Sequence, residues 1–240
     1  MDVEAIERAT VSGVAPPKVL EIHGWLAALD NGSMARARSA VPLSHTADAS
    51  PLDAIERAYR GEGLQAAFRI ADAPGLRSVR EALAARGYAA IQPTLVKTGD
   101  AARLAAFHAE PGEILAEPDA AWAAVFTGEG FDPVDGAYRV AALSRSPDAV
   151  YGAVREGGRT VAVGVATFGH GWAGLHGMRT ARDCRGRGFA SQVLTALGQA
   201  ILARGVERVF LQVEEANPAR ALYRRAGFAE AWTYRYWTGP

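Results

Sequence analysis

Cysteine occurs once in the 240 residues, as Cys184, so no intramolecular disulfide can form and a reducing compartment is indicated. No apolar run approaches the about 18 residues of a membrane-spanning helix, and no membrane partner is expected. The opening Met-Asp-Val-Glu-Ala-Ile-Glu-Arg is acidic and holds no apolar core segment, so no signal peptide is expected. Charge of neither sign dominates. Lysine plus arginine (26) equals aspartate plus glutamate (26), and no global field favours nucleic acid or an anionic surface. No metal site is indicated. What is present, 49% hydrophobic and 22% charged residues, is the composition of a soluble globular protein, expected in the cytoplasm. The length allows one large domain or two of about 100–140 residues.

The stretch with most chemical character is Leu-His-Gly-Met-Arg-Thr-Ala-Arg-Asp-Cys-Arg-Gly-Arg-Gly-Phe, residues 175–189. It reads as a strand, a basic loop broken by glycines, and the first turn of a helix. Backbone N–H groups at a helix start have no intrahelical partner and carry the positive end of the macrodipole. Glycines let that backbone approach an anion closely, so Arg185-Gly-Arg-Gly-Phe-Ala190 is built for phosphate or pyrophosphate. It is no P-loop, because no Gly-Lys-Ser/Thr closes it. It is no dinucleotide fingerprint either, since the third glycine is missing and the preceding strands are antiparallel.

Around it, Tyr138–Leu143 is a candidate strand, and Val150–Arg155 and Thr160–Phe168 form a hairpin turning at Gly157-Gly158. Trp172–Thr180 adds a third strand. Asp119 caps a helix through about Phe126. Ala190, Leu194, Leu197 and Ile201 mark one helical face, ending at Gly205. Val209–Val213 is apolar apart from Gln212, as a buried strand should be. Asn217-Pro218 opens the last helix, and Ala231–Trp237 forms a terminal strand.

The first half begins with a weakly patterned segment through residue 20, extended at Pro16-Pro17. Asn31-Gly32 predicts a hairpin between Trp25–Ala28 and a return strand near Met34–Leu43. Helices are read at Pro51–Arg60 and around Leu76, Val79 and Leu83; strands at Leu64–Ile70 and Tyr88–Lys97, with Pro93 tolerable only at an edge or bulge. Gly63 and Phe68 recur as Gly205 and Phe210, 142 residues on, and Gly87 recurs as Gly227, 140 residues on. Nearly constant offsets in two elements indicate an internal duplication, joined near Thr98–Asp100. Ser44–Ser50, where the first copy's anion loop would lie, contains no glycine.

Arg185–Ala190 resembles the acyl-CoA loop of the GNAT N-acetyltransferase superfamily, Gln/Arg-x-x-Gly-x-Gly/Ala. Asn217-Pro-Ala-Arg-Ala-Leu-Tyr-Arg-Arg-Ala-Gly-Phe228 resembles that superfamily's Asn-x-x-Ala-x-x-Leu-Tyr-x-x-x-Gly-Phe signature. The likeness covers about residues 115–240 closely, and the whole chain if residues 1–100 are a degenerate copy ahead of an acetyltransferase domain at 101–240. The implied fold is α/β (α+β): a mixed, mostly antiparallel sheet flanked by helices, duplicated as in tandem-GNAT proteins.

The resemblance also implies roles. Acetyl-CoA is the co-substrate, with Met178, Arg179 and Thr180 beside the pantetheine arm. The amides of Arg185, Gly186, Arg187, Gly188, Phe189 and Ala190 take the pyrophosphate. Asn217 touches the arm or merely caps its helix, and Tyr223 is the general acid for the departing thiolate. For the general base the candidates are His176 and Glu214, or Glu215 beside it. Strand alternation puts His176, Met178 and Thr180 on one face, although a structural, hydrogen-bonded histidine is the competing reading. A covalent relay through Cys184 is set aside, because the family transfers directly. Arg179, Arg182, Arg185 and Arg187 fit an anionic cofactor better than nucleic acid, for which no base-reading motif exists. The expected reaction is acetyl transfer to a primary amine of a small molecule or peptide; the alternative is a non-catalytic acyl-CoA-binding or sensing protein. Trp172, Trp232, Tyr234, Tyr236 and Trp237 fit an acceptor cleft, a core or a homodimer contact.

Overall fold

The computed structural model describes residues 2–239. The first half runs α1 (Val3–Val14), β1 (Lys18–Ile22), β2 (Trp25–Leu29), β3 (Ala40–Pro42), α2 (Leu52–Gly61), β4 (Ala67–Ala71), α3 (Arg77–Ala85) and β5 (Ala89–Asp100). Then come α4 (Ala101–Ala105), β6 (Glu113–Leu115), α5 (Ala120–Thr127), α6 (Pro133–Ser144), β7 (Ala149–Glu156), β8 (Arg159–Gly169) and β9 (Trp172–Thr180). The chain closes with α7 (Phe189–Ala203), β10 (Arg208–Glu214), α8 (Arg220–Arg225) and β11 (Ala229–Thr238).

All strands join one sheet in the order β1-β2-β3-β4-β11-β5-β10-β9-β8-β7-β6. Pairing is antiparallel except at β3–β4 and β9–β10. The centre is an exchange. β11, the last strand, lies between β4 and β5 of the first half, while β5 lies between β11 and β10. The fold is therefore a duplicated one whose halves share a sheet, and Thr98–Asp100 sits at the end of β5, all three paired with β10 and Thr98 with β11 as well.

Helices cover both faces. α1, α2 and α3 share a core cluster in which Ile6, Trp25, Ile55, Phe68, Leu83 and Phe210 are inaccessible. On the same side of β7–β9, α5 and α6 bury Trp122, Phe126 and Leu143 against Tyr151 and Val163. The opposite side carries α4, α7 and α8, with Leu104, Val193, Leu197 and Tyr223 on Val154, Ala162 and Leu211. Each large apolar side chain so placed contributes about 1.5–3 kcal/mol relative to exposure.

Three expectations need correction. Residues 3–14 form a helix, capped by Asp2 accepting from the Ala5 amide, whose small residue Gly13 lies close against Thr167 and His176. Tyr138–Leu143 is helical, not a strand: Asp132 accepts from the amides of Val134 and Asp135, and Pro133 occupies the first turn. The tight hairpin falls at His23-Gly24, between β1 and β2, rather than at Asn31-Gly32. There Asp30 accepts from the Gly32 amide at 2.7 Å and the chain enters a 3₁₀ turn at Ala35–Ala37, so only Ala40–Pro42 returns as a strand. Pro93 meets its expectation: it lies in an interior strand but at a bulge, where the register with β11 shifts beside Gln92 in a left-handed conformation (φ 53°).

Candidate active site

β9 and β10 are hydrogen-bonded only at Ala173–Leu175 and Val209–Leu211. Past Leu175 and Leu211 the two strands part, and the sheet opens into a wedge. Its geometry is set by Gly177, which adopts a left-handed conformation (φ 60°) and shifts the register between β8 and β9. A Cβ there would come 2.6 Å from Leu143 Cδ1, so both the backbone and the space require glycine. A cavity of about 420 Å³ fills the wedge, lined by residues 175–179, 211–214, Asn217 and Tyr223, and on the far side by the first half.

The bulge overturns one expectation about faces. His176 points with Gly174 towards α1 and Phe210, whereas Met178 packs with the α7 cluster. One extra residue reverses the alternation, so His176 and Met178 lie on opposite sides. His176 is buried; its Nε2 lies 3.1 Å from Thr167 Oγ1 and its Nδ1 3.5 Å from Arg36 Nη1. Burial, with the Arg36 guanidinium beside it, holds the imidazole well below its ordinary pKa, hence neutral. Arg179 donates to the Phe126 carbonyl at 3.0 Å and stacks on Phe131, 4.2 Å from the ring centre. Thr180 pairs with Ala162 beyond the cavity lining.

On the other wall, Glu214 is exposed at the end of β10 and accepts from Gln92 Nε2 at 2.7 Å. Glu215 is bound through its amide to the Pro93 carbonyl and does not line the cavity. Asn217 also lines it, while its Oδ1 caps the following turn by accepting from the Ala219 amide at 2.9 Å. Tyr223 closes the base of the wedge. Its ring meets Phe228 edge-on at 6.1 Å, and its hydroxyl bonds to none of the described residues. Burial pushes this phenol up to about 12.

The basic loop follows a 3₁₀ turn at Arg182–Cys184 and delivers α7 through Gly188, which is left-handed (φ 87°). Among the described residues no backbone carbonyl accepts from the amides of residues 186–190, so they remain available to an anion. Arg187 pairs with Glu156, and Arg185 reaches back to the Thr180 carbonyl at 3.5 Å. Cys184 is buried against Arg159, Sγ to Nη2 at 3.1 Å, away from the wedge. The loop itself stands outside the cavity, whose lining stops at Arg179 on β9.

A family described as "Probable histone acetyltransferase Rv0428c C-terminal" matches residues 1–237. The chain belongs to that family. It is an acyltransferase of the GNAT superfamily. The acetyltransferase is 25% identical over 248 residues to the uncharacterized N-acetyltransferase YobR of Bacillus subtilis (strain 168), across 98% of both chains. Its fold resembles a GCN5-related N-acetyltransferase from Kribbella flavida, with TM-score 0.74 and 18% identity over 99% of this chain and 95% of that one. A tandem GNAT protein from the clavulanic acid biosynthesis pathway follows the fold at TM-score 0.63 and 16% identity, covering 80% of this chain and 70% of its own.

Of the acetyltransferase's second wall, Tyr234 and Tyr236 fall where the sequence allowed an acceptor cleft, whereas Arg36, Arg38 and Gln92 were not expected. Arg36, Arg38, Gln92, Tyr234 and Tyr236 line the cavity from the exchanged strands and the 3₁₀ turn at Ala35–Ala37. Tyr234 donates to Gln212 Oε1 at 3.1 Å and meets the Tyr236 hydroxyl at 3.1 Å; Gln212 Nε2 donates to Thr10 at 3.0 Å. Gln212 was the visible signal, a polar residue in an otherwise apolar strand. Trp172 and Trp237 belong to the core instead, with Trp232 packed at its margin.

Proposed function

We propose that the enzyme transfers an acetyl group from acetyl-CoA to a primary amine, and that it does so in the cytoplasm. The observation that carries this reading is the wedge between β9 and β10, open at Gly177 and closed by Tyr223. The residues present fit the donor. Unpartnered amides at residues 186–190 suit a pyrophosphate, and the parted strand edges at Met178–Thr180 and Gln212–Glu214 offer backbone groups to an amide-bearing arm. Acetyl-CoA supplies an activated thioester carbonyl.

In this reading the amine nitrogen attacks that carbon, an N–C bond forms, the C–S bond breaks, and the thiolate leaves. The amine's proton goes to Glu214, a carboxylate at the cavity mouth held by Gln92. His176 is neutral and engaged on both ring nitrogens, which favours a positioning role in the floor over that of base. Tyr223 donates a hydrogen bond to the leaving sulfur. Most of the acceleration comes from holding thioester and amine together, worth up to about 7–11 kcal/mol in well-oriented reactions.

Thiol release from acetyl-CoA across a panel of amines tests the proposal. Amine-dependent release above background is expected. Binding of acetyl-CoA with no release for any amine would instead support a non-catalytic acyl-CoA-binding protein.

A further inference from the structure

Arg36 belongs to the 3₁₀ turn Ala35–Ala37 and Arg38 follows it, both in the first half, yet both line the wedge of the second. Neither has a carboxylate partner among the described residues. Arg36 is half-buried, and its Nη1 makes only long contacts, 3.5 Å to Gln212 Oε1 and 3.5 Å to His176 Nδ1, so most of its donors are unspent. Arg38 is exposed at the rim. Of the other charged groups in the lining, Arg139 is committed to Asp135 at 2.7 Å, Arg179 bonds a carbonyl, and Glu214 is the one carboxylate. His176 is neutral. Positive charge is thus concentrated in one cavity of a chain whose formal net charge is +0.

Low-dielectric walls focus such a field, and planar guanidinium groups match the oxygens of carboxylate and phosphate. We propose that the acceptor amine carries an anionic group, held by Arg36 with Arg38. This rests on the amine-acetylation reading above and names its substrate class. The exchanged sheet explains the division of labour: the second half presents the donor, and the first half reads the far end of the acceptor. A lysine-rich peptide would bring further cations to arginines already lacking counter-charge, so the cavity selects against that class.

Matched probes test this. One pair is γ-aminobutyrate and its uncharged amide; a second is O-phosphoethanolamine and ethanolamine; putrescine and a lysine-rich peptide are the cationic controls. Binding to the CoA-bound enzyme is followed by saturation-transfer NMR, which needs no turnover, beside thiol release from acetyl-CoA. In at least one pair the anionic member is expected to bind about tenfold tighter or better, and the pair that responds separates carboxylate from phosphate. Arg36→Gln and Arg38→Gln should each erase most of that preference without changing acetyl-CoA affinity, and Arg36→Lys should keep part of it. Arg38 is exposed, so its variant remains informative if Arg36→Gln fails to fold. Neutral or cationic amines binding as well, a preference surviving both variants, or no binding of either anionic probe overturns the proposal. If the binding preference stands while no amine is acetylated, the transfer reading fails and the anion site survives.

Discussion

Replacing Tyr223 by phenylalanine removes one oxygen from the base of the wedge and nothing else. The hydroxyl bonds to no described residue, and the Phe228 contact is kept, so stability should change by less than about 1 kcal/mol. The kinetic effect can be bounded. Burial puts the phenol at about 12, whereas an ordinary thiol sits near ~8.5, so complete proton transfer to the thiolate is uphill by roughly 5 kcal/mol. In the proposed transfer Tyr223 would therefore act as a hydrogen-bond donor to developing charge, at the low end of the range for acid–base groups, about 100-fold. Tyr223→Phe should lose about that factor in kcat/KM for acetyl-CoA with the best amine found, measured by thiol release, while the melting temperature holds. The wild-type profile should show no falling limb from this residue between about pH 8 and 10, where a phenol at 12 stays protonated. A variant within threefold of wild type, or a basic limb near pH 9 that the variant abolishes, would refute the reasoning.

His176 titrates below its ordinary value in the fold, so the unfolded chain binds more protons in the window below about pH 6.5. Stability from this group is present above that window and is lost as pH falls through it. His176→Gln should flatten the fall in melting temperature between pH 7 and 5, and parallel profiles would refute the assignment. Arg69 and Glu7 form a buried ion pair at 2.5 Å, poorly aligned for hydrogen bonding, with Arg69 also 5.2 Å over the Tyr234 ring. Arg69→Met alone should cost about 3–5 kcal/mol in urea unfolding by stranding Glu7, whereas Arg69→Met with Glu7→Leu should lie near or above wild type. Gly188→Ala forces an L-residue into the left-handed conformation (φ 87°) at the start of α7. It should cost about 1–2 kcal/mol and weaken acetyl-CoA binding more than about tenfold by calorimetry; unchanged affinity would remove the loop from the donor site.

The parts of the site legible in the sequence are those carried by local spacing. Gly186 and Gly188 before a helical face, and Asn217 five residues ahead of Leu222-Tyr223, need no long-range contact to be recognised. Features depending on one residue of register were lost. Alternation from His176 through Thr180 is sound strand logic, but Gly177 inserts a bulge that only its partner Gly164 on β8 reveals. Asp132-Pro133 is a helix start for α6, which Val140 and the short apolar run to Leu143 mask by mimicking a strand. α1 hid because its buried face is made partly of Ala9, Thr10 and Gly13, which give little hydrophobic contrast.

Part of the far wall of the cavity was out of reach for a deeper reason: Gln92 meets Tyr234 and Tyr236 there only through the exchange of β5 and β11, and Arg36 and Arg38 arrive from the turn at Ala35–Ala37. Nothing in the sequence near Gln92 or Tyr234 says which strand will lie beside it, because the pairing spans more than a hundred residues. The loops that precede α2 and α7 also differ. Where the second half leaves amides free before α7, the first half fills the matching loop before α2 with its own anion, Asp48, accepting from the Ser50 amide at 2.8 Å. Where the second half opens between β9 and β10, β4 instead carries Arg69, closed by Glu7 and covered by Tyr234 from the exchanged strand. That tyrosine's hydroxyl donates to Gln212 in the cavity lining, so the buried pair on β4 and the open wedge are linked through one residue.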